Sequence, residues 1–380
     1  MKPFIASHLK DMNRRTVYSL VASAGEISKA EINRQTGISP PTVIKIIDFF
    51  LKSGIVEEAG EGNSMLGRKP QLLRFNPNAA YSIGIEYDGD ILKAGIVDLL
   101  GQVKAVRSIA AGRDIDAILN EKLEACVRAA VDDSGIPMSK IMGIGIGFPG
   151  VVHSETCEVL YAPLVGILDR RDYSAEIRRL SRRLGVPIFL ENDVNAATIG
   201  EFHTRGLGAG DDMLYISLGV GLAAGIVLDG ALRKGRTGSA GEIGYLVFDK
   251  DFVTMKSKPG WMESRIVLDP LYLQTIGHGS GNAANGDFDS ERHDGMLESI
   301  ADLLALSIAN LSVSLDAGLV VLGGAAMKTI GRDVQNRVDE RLSRLCLNPV
   351  KCLLGKCDYP FIVGSAAIVR EAVMDSLLAG

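Results

Sequence analysis

The chain has 380 residues, 47% of them apolar, and a net charge of −5 at neutral pH. That is enough for two or three domains with sizeable cores, and it excludes general disorder. No run reaches the roughly 18 apolar residues of a membrane span, and residues 1–10 lack the apolar core of a signal peptide, so a cytoplasmic protein without membrane contact is expected.

Charge is unevenly spread. Residues 1–80 carry 11 basic and 7 acidic side chains, a net +4, against −9 for the remainder. A basic head on an acidic body points to nucleic-acid contact at one end only. Within the head, residues 11–24 read as a helix with Val17, Leu20 and Val21 on one face. Ser28 with Glu31 forms a capping box at the start of a second helix, which ends at Thr36-Gly37. Ser39-Pro40-Pro41 opens a third, with Ser39 as N-cap, Pro40 at the first helical position, and Val43, Ile46, Ile47 and Phe50 facing inward. Helix, glycine turn, helix is a helix-turn-helix order, in which Ser39, Thr42 and Lys45 at the start of the last helix would reach the major groove. Residues 55–58 and 71–75 read as a hairpin, and its connector would be a wing bringing Arg68 and Lys69 to phosphate. The bland alternative is a helical protein-interaction module with a solvated basic pair.

The body begins after the turn Asn76-Pro77-Asn78. Residues 83–86, 91–98 and 103–109 read as an antiparallel meander, followed by a helix over 115–132 and an apolar strand over 141–146 that ends in Gly147-Phe148-Pro149-Gly150. A helix over 174–184 carries Arg178, Arg179, Arg182 and Arg183, read as a solvated face. The buried run 186–190 then leads into Glu191-Asn192-Asp193-Val194-Asn195-Ala196-Ala197. An Asn-Asp pair at the carboxyl end of a strand suits a polyhydroxylated ligand, because the amide donates and accepts while the carboxylate accepts from hydroxyls. In a kinase that carboxylate would take the proton of the attacking hydroxyl. Asn192 or Asp193 as a plain helix cap is the competing reading. The pattern then repeats: strands over 213–219 and 221–228, a glycine-rich segment over 235–244, a long helix over 296–315, and a strand over 318–322 closed by Gly323-Gly324. The run 277–286 reads as a flexible loop. The five cysteines (Cys126, Cys157, Cys346, Cys352, Cys357) show no C-x-x-C spacing and fit a reducing compartment.

A strand-hairpin-helix block that occurs twice describes the ribonuclease-H-like α/β fold of sugar kinases, actin and Hsp70. The chain resembles the ROK family of bacterial sugar kinases and sugar-responsive repressors, through Gly147-Phe148-Pro149-Gly150, the Glu191–Ala197 stretch, Gly238-Ser239-Ala240-Gly241-Glu242-Ile243-Gly244 and Leu322-Gly323-Gly324. The resemblance implies an N-terminal winged helix-turn-helix over residues 1–76, a first lobe over 79–193 with a C-terminal helix over 365–380, and a second lobe over 194–364. It also implies that Asn192, Asp193, Glu242 and Glu263 bind sugar hydroxyls, that the Gly150 loop lines the sugar, and that Asp193 holds the kinase base position.

The departures from the family carry the functional expectation. Its first phosphate loop, D-x-G-G-T, is replaced by Glu86-Tyr87-Asp88-Gly89-Asp90, which sets carboxylates where phosphate oxygens should approach. The second, G-T-G-x-G-G-G, is replaced by Gly219-Val220-Gly221-Leu222-Ala223-Ala224-Gly225, which removes a hydroxyl and adds Cβ atoms where amides should close on phosphate. The family's zinc ligands fall on Tyr245, Thr254, Lys256 and Trp261, so no metal and no cofactor are expected; packing of Trp261 is expected to hold that loop instead. Tyr245, in place of a histidine that touches the sugar, leaves the ligand's identity open. The expected protein is a non-enzymatic repressor of a carbohydrate-utilisation operon. Its partners would be double-stranded operator DNA and a sugar, and it would act as a homodimer or homotetramer whose cleft closes on the sugar. An active sugar kinase with a DNA-binding head, or a regulator answering to a partner protein, are the rival readings.

Overall fold

The computed structural model describes residues 6–61, 69–219, 221–251, 260–266 and 290–379. In the head, α1 (Ala6–Ser23) begins earlier than the apolar spacing indicates. A short β1 (Glu26–Ser28) leads to α2 (Lys29–Thr36), where the Ser28 hydroxyl accepts from the Glu31 amide and Gly37 ends the helix at φ 68°. In α3 (Pro40–Lys52), Val43, Ile46, Ile47 and Phe50 are buried as the spacing requires. Ser39 stands at the N-cap, but its hydroxyl bonds the Thr42 hydroxyl at 2.9 Å instead of a backbone amide. A hairpin of β2 (Val56–Glu61) and β3 (Gln71–Phe75) completes a sheet in the order β1-β3-β2. The head's apolar cluster takes in Leu99 and Met374 from outside residues 1–76.

Two five-stranded sheets form the body. The first contains β4 (Tyr81–Tyr87), β5 (Ile91–Asp98), β6 (Val103–Ala110), β7 (Ile141–Phe148) and β11 (Ile188–Asn192), in the order β11-β7-β4-β5-β6. A helical stretch ending in α4 (Leu123–Ser134) and the helix α5 (Ser174–Leu184) accompany it. The second contains β12 (Met213–Leu218), β13 (Leu222–Leu228), β14 (Ala231–Leu232), β15 (Leu319–Gly323) and β16 (Lys351–Leu354), in the order β14-β13-β12-β15-β16. Counted along each repeat, both read third, second, first, fourth, fifth, so the doubled block seen in the sequence is a doubled topology. In the second sheet β12, β13 and β14 are antiparallel, while β15 and β16 run parallel to β12. A third sheet of β8 (Val151–His153), β9 (Glu158–Tyr161) and β10 (Arg171–Asp172) follows the Gly150 turn and was not anticipated. Its strands are too short to display an alternating pattern.

The compact units divide the chain elsewhere than the expected boundaries. One holds residues 1–146, 174–190 and 365–380; the other holds 147–173 and 191–364. Thus the head counts with the first body sheet, through the shared cluster at Leu99 and Met374. Residues 147–173 count with the second unit, because Gly238 packs its α-carbon against the Val152 carbonyl. Within the second unit, α6 (Asp193–Thr204), α7 (Ser290–Leu315), α8 (Met327–Leu345) and α9 (Pro360–Ala379, its later residues in the first unit) accompany the sheet. By length and composition α7 would pass for a membrane span, which corrects the expectation that no stretch would. Half of that window is buried, and Leu297, Ile300, Ala301, Leu304, Ala305 and Ile308 sit in the core, which accounts for its apolarity.

Close helix packing fixes α6. A Cβ on Gly200 would lie 2.2 Å from the Pro360 carbonyl oxygen, whereas one on exposed Gly208 would meet nothing within 4 Å. Gly200→Ala is therefore expected to lower unfolding free energy by about 1–3 kcal/mol, the usual cost of overpacking, and Gly208→Ala to change it by under about 0.5 kcal/mol. Urea denaturation of the two variants checks this contrast.

Candidate carbohydrate site and its relatives

The Asn-Asp pair lies where strand β11 passes directly into helix α6, and both competing readings of Asn192 hold at once. Its side-chain oxygen caps α6 by accepting from the Asn195 amide at 2.8 Å. Its amide nitrogen donates to the Gly150 carbonyl at 2.8 Å and to Asp193 Oδ1 at 3.1 Å. Asp193 Oδ1 also accepts from the Val194 amide at 2.8 Å. Capping thus aligns the pair, and the Asp193 carboxylate stands at the positive end of the helix dipole.

Gly150 must be glycine. It sits at φ 104°, and a Cβ there would fall 2.3 Å from the Tyr161 carbonyl oxygen. Tyr161 in turn shares a side-chain hydrogen bond with Tyr245, the residue at the family's histidine position. Tyr245 ends a short 3-10 turn that begins after Glu242. The Gly244 carbonyl accepts from the Met262 amide at 3.0 Å, which draws the Glu263 segment alongside. Glu263 lies close enough that a Cβ on Gly244 would be 3.3 Å from its Oε2, and one on Gly221 would be 3.2 Å from its Oε1. Gly150, Asn192, Asp193, Tyr245, Glu242 and Glu263 thus form one connected group, all within the second compact unit.

Burial, then the neighbouring Glu263, pushes the Glu242 carboxyl above its usual range; burial does the same to Glu263. Burial first, then Tyr161 and the two glutamates, raises the Tyr245 phenol. Such carboxyls can accept from, and when protonated donate to, the hydroxyls of a polyol. A helix-start role for Glu242 applies only to the 3-10 turn it precedes, where its side chain makes no cap bond.

Sequence reading gave no role to the buried Glu191, to Ser154, Tyr161 or Lys234, all of which join this group. Each looks ordinary in sequence, because what marks it is a partner far along the chain.

At both loops that stand at the family's phosphate positions, described backbone amides are already hydrogen-bonded within the chain. In the first, Asp88 Oδ1 accepts from the amides of Asp90 at 3.0 Å and Ile91 at 2.8 Å, so the turn's own carboxylate fills the donors a phosphate would need. Glu86 pairs with Lys93 at 2.9 Å, and Asp90 with Arg113 at 3.4 Å. In the second, Val220 lies outside the described residues, and the amide of Ala224 is given to the Gly241 carbonyl at 2.7 Å. The residues at the zinc positions do not fit the metal. Thr254 and Lys256 lie outside the described residues, as does the loop 277–286. Trp261 is buried, as the expected packing requires. Its indole donates to Asp251 at 2.5 Å, Phe248 meets it edge-on at 6.0 Å, and the Arg265 guanidinium lies 3.7 Å from the ring.

In the head, Ser39 and Lys45 are exposed and Thr42 is half-buried at the start of α3; Lys69 is exposed, and Arg68 lies outside the described residues. Ile44, which the apolar spacing left on the polar face, is 45% exposed beside Lys45.

The architecture defines the class first: a duplicated α/β body behind a helical head. More particularly, residues 82–260 match the model of the ROK family. The xylose repressor of Caldicellulosiruptor bescii is 30% identical over 240 residues, 62% of this chain and 59% of that protein. The DNA-binding transcriptional dual regulator NagC of Escherichia coli K12 is 20% identical over 397 residues, 97% of this chain and 95% of that protein. Among solved structures, a ROK family transcriptional regulator, a homolog of the Escherichia coli MLC protein, superposes with a TM-score of 0.74 at 20% identity, covering 98% of both chains. The chain shares the fold of that structure.

The raised carboxyls yield a signed prediction. A carboxyl whose folded pKa lies above its unfolded value stabilises the protein below the unfolded value and loses that contribution as pH rises through the folded one. Glu242→Gln and Glu263→Gln are therefore expected to raise the melting temperature at pH 7 and to change it little at pH 4. Melting curves across that range check it.

Proposed function

We propose that this chain is a sugar-responsive, DNA-binding transcriptional repressor of a carbohydrate-utilisation operon. Its sugar site is Gly150, Asn192, Asp193, Glu242, Tyr245 and Glu263, and it has no working nucleotide site. One observation supports the reading: Asn192, Asp193 and Glu242 belong to one hydrogen-bonded group suited to hydroxyls, while the Asp88 carboxylate takes up the amides of the turn where a kinase would hold phosphate. The names of the two relatives, a xylose repressor and a dual regulator, support the same choice.

The head is proposed to be a winged helix-turn-helix. Helix, short strand, helix, helix and hairpin follow in that motif's order, and α3 would enter the major groove with Ser39, Thr42, Ile44 and Lys45 foremost. Exposed Ile44 suits apolar contact with a thymine methyl. Lys69, with Arg68 before it, would meet phosphate from the wing. Sugar binding must favour one conformation of the chain over the DNA-bound one, since only differential affinity shifts an equilibrium. In a cytoplasmic homodimer or homotetramer, the spacing of paired heads against operator half-sites is the lever.

The full chain with a duplex selected from a random pool tests the reading. D-xylose or N-acetylglucosamine should weaken or strengthen DNA binding, and neither should be phosphorylated by ATP; steady ATP-dependent turnover would overturn it in favour of a kinase. Lys69→Ala should weaken DNA binding on every sequence and reduce the log-log salt slope by about 1. Ile44→Ala should leave that slope alone and relax preference at one base pair. Asp193→Ala should keep DNA binding and abolish the sugar response; a response that survives moves the sugar site elsewhere.

A further inference from the structure

Glu191 is 2% exposed and collects four donors. Oε1 accepts from the Asn192 amide at 3.0 Å and from Asn195 Nδ2 at 3.0 Å. Oε2 accepts from the Ser154 hydroxyl at 2.8 Å and from Lys234 Nζ at 2.5 Å. Lys234 Nζ also donates to the Ser154 oxygen at 3.3 Å, closing a triangle. Among the described residues, Lys234 is the one cation recorded on this carboxylate.

Three segments of the second unit meet here. Asn192 and Asn195 belong to the β11–α6 junction, Ser154 to the turn between β8 and β9, and Lys234 to the start of the glycine-rich loop that ends at Glu242. That loop is folded on itself: the Lys234 carbonyl accepts from the Ala240 amide at 3.2 Å. Gly238 seats it on the Val152 carbonyl, and Gly241 seats it on the Ala224 carbonyl. A displacement of Lys234 therefore moves the approach to Glu242 on one side and loosens the carboxylate that orients Asn192 on the other.

We propose that Lys234 is a positioning residue of the carbohydrate site. Its ammonium neutralises the buried Glu191 and ties it to Ser154, setting Asn192-Asp193 and the Glu242 loop in one register; this rests on the carbohydrate reading above. Lys234 is itself 44% exposed, so its effect comes from the partner: without it a carboxylate stays buried among neutral donors.

The test uses the full chain, the variants Lys234→Met and Lys234→Arg, and the pair Glu191→Gln with Lys234→Met. Calorimetric titration with D-xylose and with N-acetylglucosamine reads affinity, and amide hydrogen exchange without ligand reads residues 192–204 and 238–246. Lys234→Met should weaken sugar binding by roughly 10- to 100-fold, the range for supporting residues around a bound group. It should speed exchange in both segments together while residues 10–52 stay unchanged. Lys234→Arg should retain affinity and protection. The neutral pair should recover most of the protection, because the oxygen that Glu191→Gln leaves at the Oε1 position still accepts from the Asn192 amide and Asn195, while the new amide nitrogen at the Oε2 position can donate to the Ser154 oxygen. Faster exchange at residues 234–240 alone, or none, would overturn the proposal. So would equal loss of affinity in all three variants with unchanged exchange, which would make Lys234 a direct ligand contact. If the unaltered chain binds neither sugar, the carbohydrate reading fails for those sugars, and the exchange pattern still decides the role of Lys234.

Discussion

A carboxylate held in a protein interior is tolerable only when donors replace the water it has lost; stripped of them it costs several kcal/mol. Glu191 meets that condition by drawing on a backbone amide, an asparagine, a serine and a lysine from three segments. The demand is mutual, because each donor is placed by the same carboxylate. Helix α6 starts immediately after it, and near its other end Glu201, 1% exposed, accepts from the amides of Lys356 and Cys357 at 2.8 and 3.0 Å and pairs with Arg205 at 2.8 Å. Buried acids thus pin α6 at both ends. Between them, Gly200 lets α9 approach, and Thr198 packs where Gly225 leaves room on β13. The helix that presents Asn192 and Asp193 has little freedom to move by itself, so whatever a ligand does to it passes to its neighbours.

Gly225, at the end of the second loop, and Gly241, in the segment that follows it, are held as glycine by packing. A Cβ on Gly225 would lie 1.7 Å from the Thr198 hydroxyl, and one on Gly241 would lie 1.8 Å from the Ala224 carbonyl oxygen. Neither position tolerates a side chain whatever the chain binds. Ala223 and Ala224 mark positions where packing imposes no such limit, and there the glycines expected of the kinase loop have given way. Gly323 and Gly324 obey the same logic: they lie under Tyr215 and against the Leu218 carbonyl, at the start of the turn into α8. A glycine in this chain therefore reports backbone proximity first and phosphate only when its neighbours agree.

Local signals were legible in the sequence. The Ser28 cap, the buried face of α3, strand β5 and helix α5 all follow from period and capping chemistry, and so does the start of α6, whose cap is Asn192 itself. The repeated strand order followed once the block was seen twice. The candidate site was legible only in part. Asn192 and Asp193 advertise themselves by position at a strand end, but Glu263 was chosen through family resemblance, and Lys234 and Ser154 carry no local mark. Their significance lies in meeting Glu191 across long stretches of chain, which no periodicity encodes. The same is true of residues 147–173, whose allegiance to the second unit comes from Gly238 resting on Val152.

Tyr245 and Trp261, which stand where the family pattern has a histidine and a cysteine, change what holds this part of the chain together. Around Trp261, an indole hydrogen bond, an edge-on Phe248 and a stacked Arg265 supply the cohesion that ligands around a metal would otherwise give. Arg265 and Asp251 pair with each other beside the ring, so the cation is spent there and is not offered to Glu263. Burial raises the cost of ionising both Glu242 and Glu263, and the neighbouring Glu263 raises that of Glu242 further. Asn192 and Asp193, by contrast, are already hydrogen-bonded within the chain.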